Sequence, residues 1–157
     1  MANVRAIPEG YQNVTPYLFV KSAASAIDFY KNAFGATEIV RLAGPNGRIV
    51  HAEIKIGDSI VMLADENPQT GMMSPQTIGG FSVGLHVYVE NVDAVIQKAV
   101  ASGAKPLRPV KDQFYGDRSG SFLDPFGHMW TVATHVEDVS PEEIRKRMAT
   151  MSHAAGS

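Results

Sequence analysis

Apolar residues recur along this chain at two periods, and the periods alternate in the same order twice. Val14 to Val20 has the Val, Tyr and Phe content of a strand, and Pro16 within it predicts an edge or a bulge. From Ala23 to Phe34 the spacing becomes helical, with Ala23, Ile27, Tyr30 and Phe34 on one face, Ser22 placed as N-cap and Gly35 where a helix-ending glycine belongs. Three strand-like runs follow, Thr37 to Leu42, Ile49 to Ile56 and Ser59 to Ala64, parted by Gly44-Pro45-Asn46-Gly47 and by Gly57-Asp58. The order is β-α-β-β-β.

Ser82 to Val89 restarts the same programme. A helix is predicted over Val92 to Ala101, with Asn91 as N-cap and Gly103 closing it. Strands follow at Lys105 to Val110, Gly120 to Leu123 and His128 to Thr134, with turns at Tyr115-Gly116-Asp117 and Asp124-Pro125-Phe126-Gly127. Val20 and Val89, and likewise Gly35 and Gly103, hold matching places, so an internal duplication explains the pattern. The expected fold class is α+β, one domain of two tandem βαβββ modules over about residues 12–66 and 82–136. The aperiodic stretch between them, about 67–81 with adjacent Met72 and Met73, reads as a linker or mobile loop, and more sharply as a lid or a dimer contact. Ser140-Pro141-Glu142-Glu143 starts a short C-terminal helix to about Met151, with Ser as cap, Pro at the first helical position and Glu143 closing a capping box.

Composition narrows the partners. At 157 residues and 45% apolar content a sizeable core is available, and 14 basic against 16 acidic residues give a net charge of −2. No Lys/Arg run is interleaved with aromatic residues, which argues against nucleic acid and anionic membranes. No apolar stretch approaches the roughly 20 residues of a bilayer span and the N-terminus lacks an apolar signal core, so a cytoplasmic location is expected. With no cysteine, any metal would need His, Asp or Glu; the histidines are His51, His86, His128, His135 and His153. Gly44-Pro45-Asn46-Gly47-Arg48 is a hairpin turn and no phosphate loop.

Two consecutive βαβββ modules with Asp124-Pro125-Phe126-Gly127-His128-Met129-Trp130 leading into the last strand resemble the vicinal oxygen chelate superfamily of glyoxalases, bleomycin-resistance proteins, fosfomycin-resistance enzymes and extradiol dioxygenases. Val14-Thr15-Pro16-Tyr17-Leu18, His51-Ala52-Glu53, Ile56-Gly57-Asp58-Ser59 and Gly116-Asp117-Arg118 are similar to its PhnB-like branch. The resemblance implies a mixed sheet curled around a cavity, and a homodimer. It also implies metal ligands on the first and last strand of each module. Those positions are here Thr15, Val61 or Met62, Gly84 and Thr131, none of them a strong ligand for a divalent cation. No cofactor is expected, with a displaced divalent metal as the alternative.

Strand alternation then groups the remaining chemistry. Thr15, Tyr17 and Phe19 share one face, as do Gly84, His86 and Tyr88; His51, Glu53 and Lys55; and Thr131, Ala133 and His135. His51, Glu53 and His86 make a two-His-one-carboxylate candidate, against which the favoured reading is separate hydrogen-bonded polar groups. Glu53, with its pKa raised by desolvation, and His86 are the acid–base candidates. Tyr115 and Arg118 stand at the expected pocket mouth, where they would take an anionic group or, more simply, sit in a turn with a local ion pair. Trp130 and the Asp124 turn are structural. The leading expectation is a small-molecule binder, its ligand flat or amphipathic, with Thr15, Tyr17, Phe19, His51, Met62, Tyr88, Tyr115, Arg118 and Thr131 as ligand-binding residues. The alternative is a lyase, isomerase or dioxygenase using a displaced metal or the Glu53/His86 pair.

Overall fold

A computed structural model describes residues 3–154. Module one consists of β1 (Tyr17–Val20), α1 (Ala23–Phe34), β2 (Thr37–Ala43), β3 (Ile49–Ile56) and β4 (Ser59–Asp65). Module two repeats it with β5 (Gly84–Tyr88), α3 (Val92–Ala101), β6 (Lys105–Asp112), β7 (Asp117–Leu123) and β8 (Met129–His135). Between them lie a 3-10 turn (Pro68–Thr70) and the short helix α2 (Pro75–Ile78); α4 (Pro141–Ala154) ends the described chain. Each module forms a four-stranded mixed sheet, in the orders β1-β4-β3-β2 and β5-β8-β7-β6, so the duplication is visible in the topology itself. In both sheets the first strand runs parallel to the last and the other pairs are antiparallel.

Local chemistry explains the helix ends. The Ser22 side chain accepts from Ser25 N–H, and Gly35 at φ 67° takes the left-handed conformation that ends α1. Asn91 caps α3 in the same way, accepting from Ala94 N–H. Ser140 accepts from Glu143 N–H as expected, but the Glu143 carboxylate pairs with Arg147 instead of returning to the cap.

The apolar face of α1, with Ala23, Ala26, Ile27 and Tyr30 fully buried, lies in one core with Ile54, Leu63, Val92, Phe122 and Val132, so that both modules share it. Aromatic rings cross the boundary: Phe34 lies 4.7 Å from Trp130 and Tyr30 5.3 Å from it, centroid to centroid. Asp124 ties them. Its carboxylate, 3% exposed, accepts from Tyr30 Oη–H of module one, from Trp130 Nε1–H, and from the backbone N–H groups of Phe126 and His128.

Several ends shift by one to three residues from the sequence reading, α4 running on to Ala154 and not stopping at Met151, and three strand starts bear on the site. β1 starts at Tyr17, because Pro16 has no N–H to donate; Thr15 is outside the strand and its hydroxyl reaches Gln12 O at 3.5 Å. β5 starts only at Gly84. β7 starts at Asp117, so Asp117 and Arg118 belong to a strand and the turn is confined to the residues before them. The linker also carries more structure than a mobile loop: the Glu66 carboxylate accepts from Ser74 N–H and Thr77 Oγ1–H, Ser74 caps α2, and Gln76 Nε2–H reaches Pro125 O.

Candidate functional site

The register of module one fixes which side chains meet. Tyr17 on β1 and Glu53 on β3 both pair with Met62 on β4, which puts the three on one face and settles Met62, not the buried Val61, as the residue of β4 that faces them. His51 follows two residues before Glu53 on the same face. The polar groups are joined: Tyr17 Oη lies 3.0 Å from His51 Nδ1, and His51 Nε2 lies 2.9 Å from Glu53 Oε1. Tyr11, in the lead before β1, donates its hydroxyl to Glu53 Oε2. Glu53 is 8% exposed, a charged group taken almost wholly from water and kept paired on both oxygens.

Burial alone pushes the Glu53 carboxyl up, but the hydrogen bonds from His51 and Tyr11 outweigh it and the net shift is downward. The expectation of a raised value is therefore corrected: desolvation is present, and two donors more than offset it. Burial and the nearby Glu53 charge raise the Tyr17 phenol above its ordinary value, and donation to Glu53 is the main cause of the rise at Tyr11.

Beside this cluster opens a cavity of about 700 Å³, mostly apolar, whose wall includes Tyr17, Phe19, Met73, Ile78, Phe81 and His128. One side is β1 and the other is the linker with α2. His128 is oriented by its Nε2, 3.2 Å from Phe19 O. Of the cavity residues expected from the sequence, Tyr17 and Phe19 line it and Met62 lies on the adjoining face. His86 and Tyr88 instead line a second hollow of about 520 Å³ together with Phe34, Val61 and Trp130. Tyr115 packs edge-on against Phe114, 5.2 Å away, and lines neither.

His86 lies beside Tyr88, with ring centroids 4.9 Å apart and the planes tilted, and makes no hydrogen bond with Glu53 or His51, so the Glu53/His86 pair is not assembled; His51 takes that place. Arg118 points its guanidinium at Asp93, in a bidentate pair at 2.8 and 2.9 Å, and at Asp112. It straps α3 to the sheet, and its ion pair is not with the adjacent Asp117. Asp117 is on the opposite face, 4% exposed, accepting from Tyr88 Oη–H at 2.9 Å and contacting His135 Nδ1 at 2.8 Å, while His135 Nε2 faces Asp138 at 2.8 Å. Each module thus buries one carboxylate between a tyrosine and a histidine. Tyr11, Asp117 and His135 were not among the site candidates. Extending the alternation of β7 back through Asp117 would have found the second carboxylate; Tyr11 lies outside any periodic segment and carries no such signal.

The four positions where a metal-using relative would carry ligands are Thr15, Met62, Gly84 and Thr131, and they offer no carboxylate, imidazole or carboxamide. Among the described residues no three His, Asp or Glu side chains come together to hold a metal ion. His51 has both ring nitrogens engaged by Glu53 and Tyr17. These residues do not fit a metal centre.

Residues 12–132 match the glyoxalase/bleomycin resistance protein/dioxygenase superfamily. The chain belongs to that superfamily. An uncharacterized protein of Mycobacterium bovis is 42% identical to this superfamily member over 140 residues, covering 87% of this chain and 92% of the relative. TioX from Micromonospora sp. ML1 has a solved structure that superposes with a TM-score of 0.62 at 27% identity, over 80% of this chain and 99% of that one. A PhnB protein from Bacillus cereus shares the fold, with a TM-score of 0.62 at 20% identity over 78% of this chain and 99% of that one. No helix among the described residues is long and apolar enough to cross a membrane.

Proposed function

We propose that this superfamily member binds a flat or amphipathic small molecule in the cavity between β1 and the linker, without a metal ion. The supporting observation is the cavity itself: about 700 Å³ of mainly apolar wall, closed on one side by Tyr17, whose hydroxyl belongs to the polar cluster around Glu53. The apolar wall takes the body of the ligand and the tyrosine hydroxyl takes one polar substituent. A place in the PhnB-like branch, a cytoplasmic location and a homodimer agree with this reading; β1 and β5 each leave one sheet edge unpaired, where a second copy has backbone to bond. The test is calorimetric titration with planar aromatic amphiphiles, repeated on Phe81→Ala and on Ile78→Trp. Wild-type affinity that survives a chelator, and is lost when Ile78→Trp fills the cavity, is the expected result. Affinity abolished by the chelator, or unchanged in both variants, overturns the proposal.

A further inference from the structure

We propose that Tyr17, His51 and Glu53 form a proton relay that ionises a phenolic or enolic hydroxyl on an apolar molecule held in the cavity; this rests on the binding reading above.

The argument starts from what each group is able to donate. Glu53 is an ionised acceptor, so His51 Nε2, 2.9 Å from it, carries a hydrogen. A neutral imidazole then has a bare lone pair at Nδ1, and the partner there, Tyr17 Oη at 3.0 Å, donates its hydrogen to it. The lone pairs of the tyrosine oxygen are left for a group in the cavity that Tyr17 also lines. Tyr11 holds the other Glu53 oxygen, so the carboxylate cannot swing away from the imidazole.

A ligand hydroxyl that donates to Tyr17 Oη completes a chain in which every proton has a destination. The ligand O–H bond breaks as a new O–H forms on Tyr17; the former Tyr17 proton leaves for His51 Nδ1. The ligand becomes an oxyanion hydrogen-bonded by Tyr17, and His51 becomes an imidazolium facing the Glu53 carboxylate. No oxidant, reductant or further reactant is needed. The two transfers have to be coupled: burial and Glu53 oppose a free phenolate at Tyr17, so the tyrosine passes a proton on without itself ionising. Tyr17 is the residue that touches the ligand, while His51, Glu53 and Tyr11 act through it. The logic is that of an oriented acid–base triad, with tyrosine as the terminal member.

The apolar wall sets the rest of the specificity. Phe19, Met73, Ile78 and Phe81 offer no countercharge and the His128 imidazole is engaged at Nε2 by Phe19 O, so a ligand that arrives charged is disfavoured and one that ionises only at Tyr17 is favoured.

The probe is p-nitrophenol, whose phenolate absorbs visible light and whose neutral form does not, used at a pH where the free probe is largely protonated. Equilibrium dialysis measures binding, and the visible band of the bound probe measures ionisation. Wild type is expected to bind the probe and raise its ionised fraction by about tenfold, the effect of one pKa unit. His51→Gln is expected to bind it with affinity within a few-fold of wild type, yet lose the band; Tyr17→Phe, which removes the hydroxyl that holds the ligand, is expected to lose the band and to bind more weakly. Binding without the band in wild type overturns the relay and leaves the binding reading standing. A band that persists in both variants also overturns the relay, because the ionising group is then elsewhere. Absence of binding overturns both.

Discussion

Replacing Asp124 tests whether the two modules are held by a shared carboxylate or merely by apolar packing. One oxygen accepts from the N–H groups of Phe126 and His128, both at 2.9 Å; the other accepts from Tyr30 Oη–H and from Trp130 Nε1–H at 2.9 Å. Asp124→Ala strands all four donors in a site that is 3% exposed. Bonds to a charged acceptor are worth about 1.5–3 kcal/mol each, but they share one acceptor and do not add, so the bound from breaking a buried charged network, about 3–5 kcal/mol, applies. Asp124→Asn separates the contributions. Its carbonyl oxygen still serves the two backbone groups, and Tyr30 can rotate its hydroxyl to accept from the new amide. Trp130 Nε1–H has no such freedom, since indole nitrogen only donates, and its orphaning costs about 1–3 kcal/mol. Thermal and urea denaturation followed by circular dichroism should therefore rank wild type above Asn above Ala, with the Ala thermal midpoint lower by roughly 6–20 °C. Adding Trp130→Phe to Asp124→Asn should cost less than the sum of the two single changes, because the orphan donor is gone. An Ala variant within about 1 kcal/mol of wild type, or an Asn variant as unstable as Ala, would refute the account.

Three further outcomes follow from the geometry. Gly116→Ala should destabilise by about 1–3 kcal/mol or more in the same assay, since Gly116 sits at φ 103° and a Cβ there would stand 2.1 Å from Glu137 O. His135, drawn upward by Asp138 and Asp117, should titrate above the ordinary 6.5 by proton NMR, and Asp138→Asn should bring it down. Because its folded value is raised, its contribution to stability is complete below the ordinary histidine value and fades as pH rises through the folded one. Glu53 has the opposite sign: its folded value is depressed, so its contribution is present above the ordinary 4.5 and is lost as pH falls through the folded value. Acid denaturation of Glu53→Gln should accordingly be shallower than that of wild type, and an identical slope would count against the His51 and Tyr11 bonds as its cause.

How much of this was legible in the sequence depended on periodicity. Wherever one face of an element is buried, as in α1 or β3, the repeat of apolar residues located it to within a residue or two, and the two βαβββ units with their final helix emerged in the right order. Register came only from the pairing. A sequence shows that His51 and Glu53 share a face but not that Tyr17 ends beside His51 while His86 belongs to the other sheet. Long-range partners were equally hidden: Arg118 reads as a turn residue, and only the fold brings α3 and Asp93 to it. Tyr11 illustrates a further limit. It belongs to no strand or helix, and it meets Glu53, 42 residues away, through the packing of the lead segment alone.

The linker has a consequence for how such a protein changes over generations. It is fastened by Glu66 to Ser74 and Thr77 and by Gln76 to Pro125, while Met73, Ile78 and Phe81 project from it without belonging to the main core. The linker's share of the cavity wall is thus nearly uncoupled from the residues that hold the sheets. Substitutions in this one short stretch can alter which molecules fit at little cost in stability, leaving the duplicated framework and the Tyr17 cluster in place.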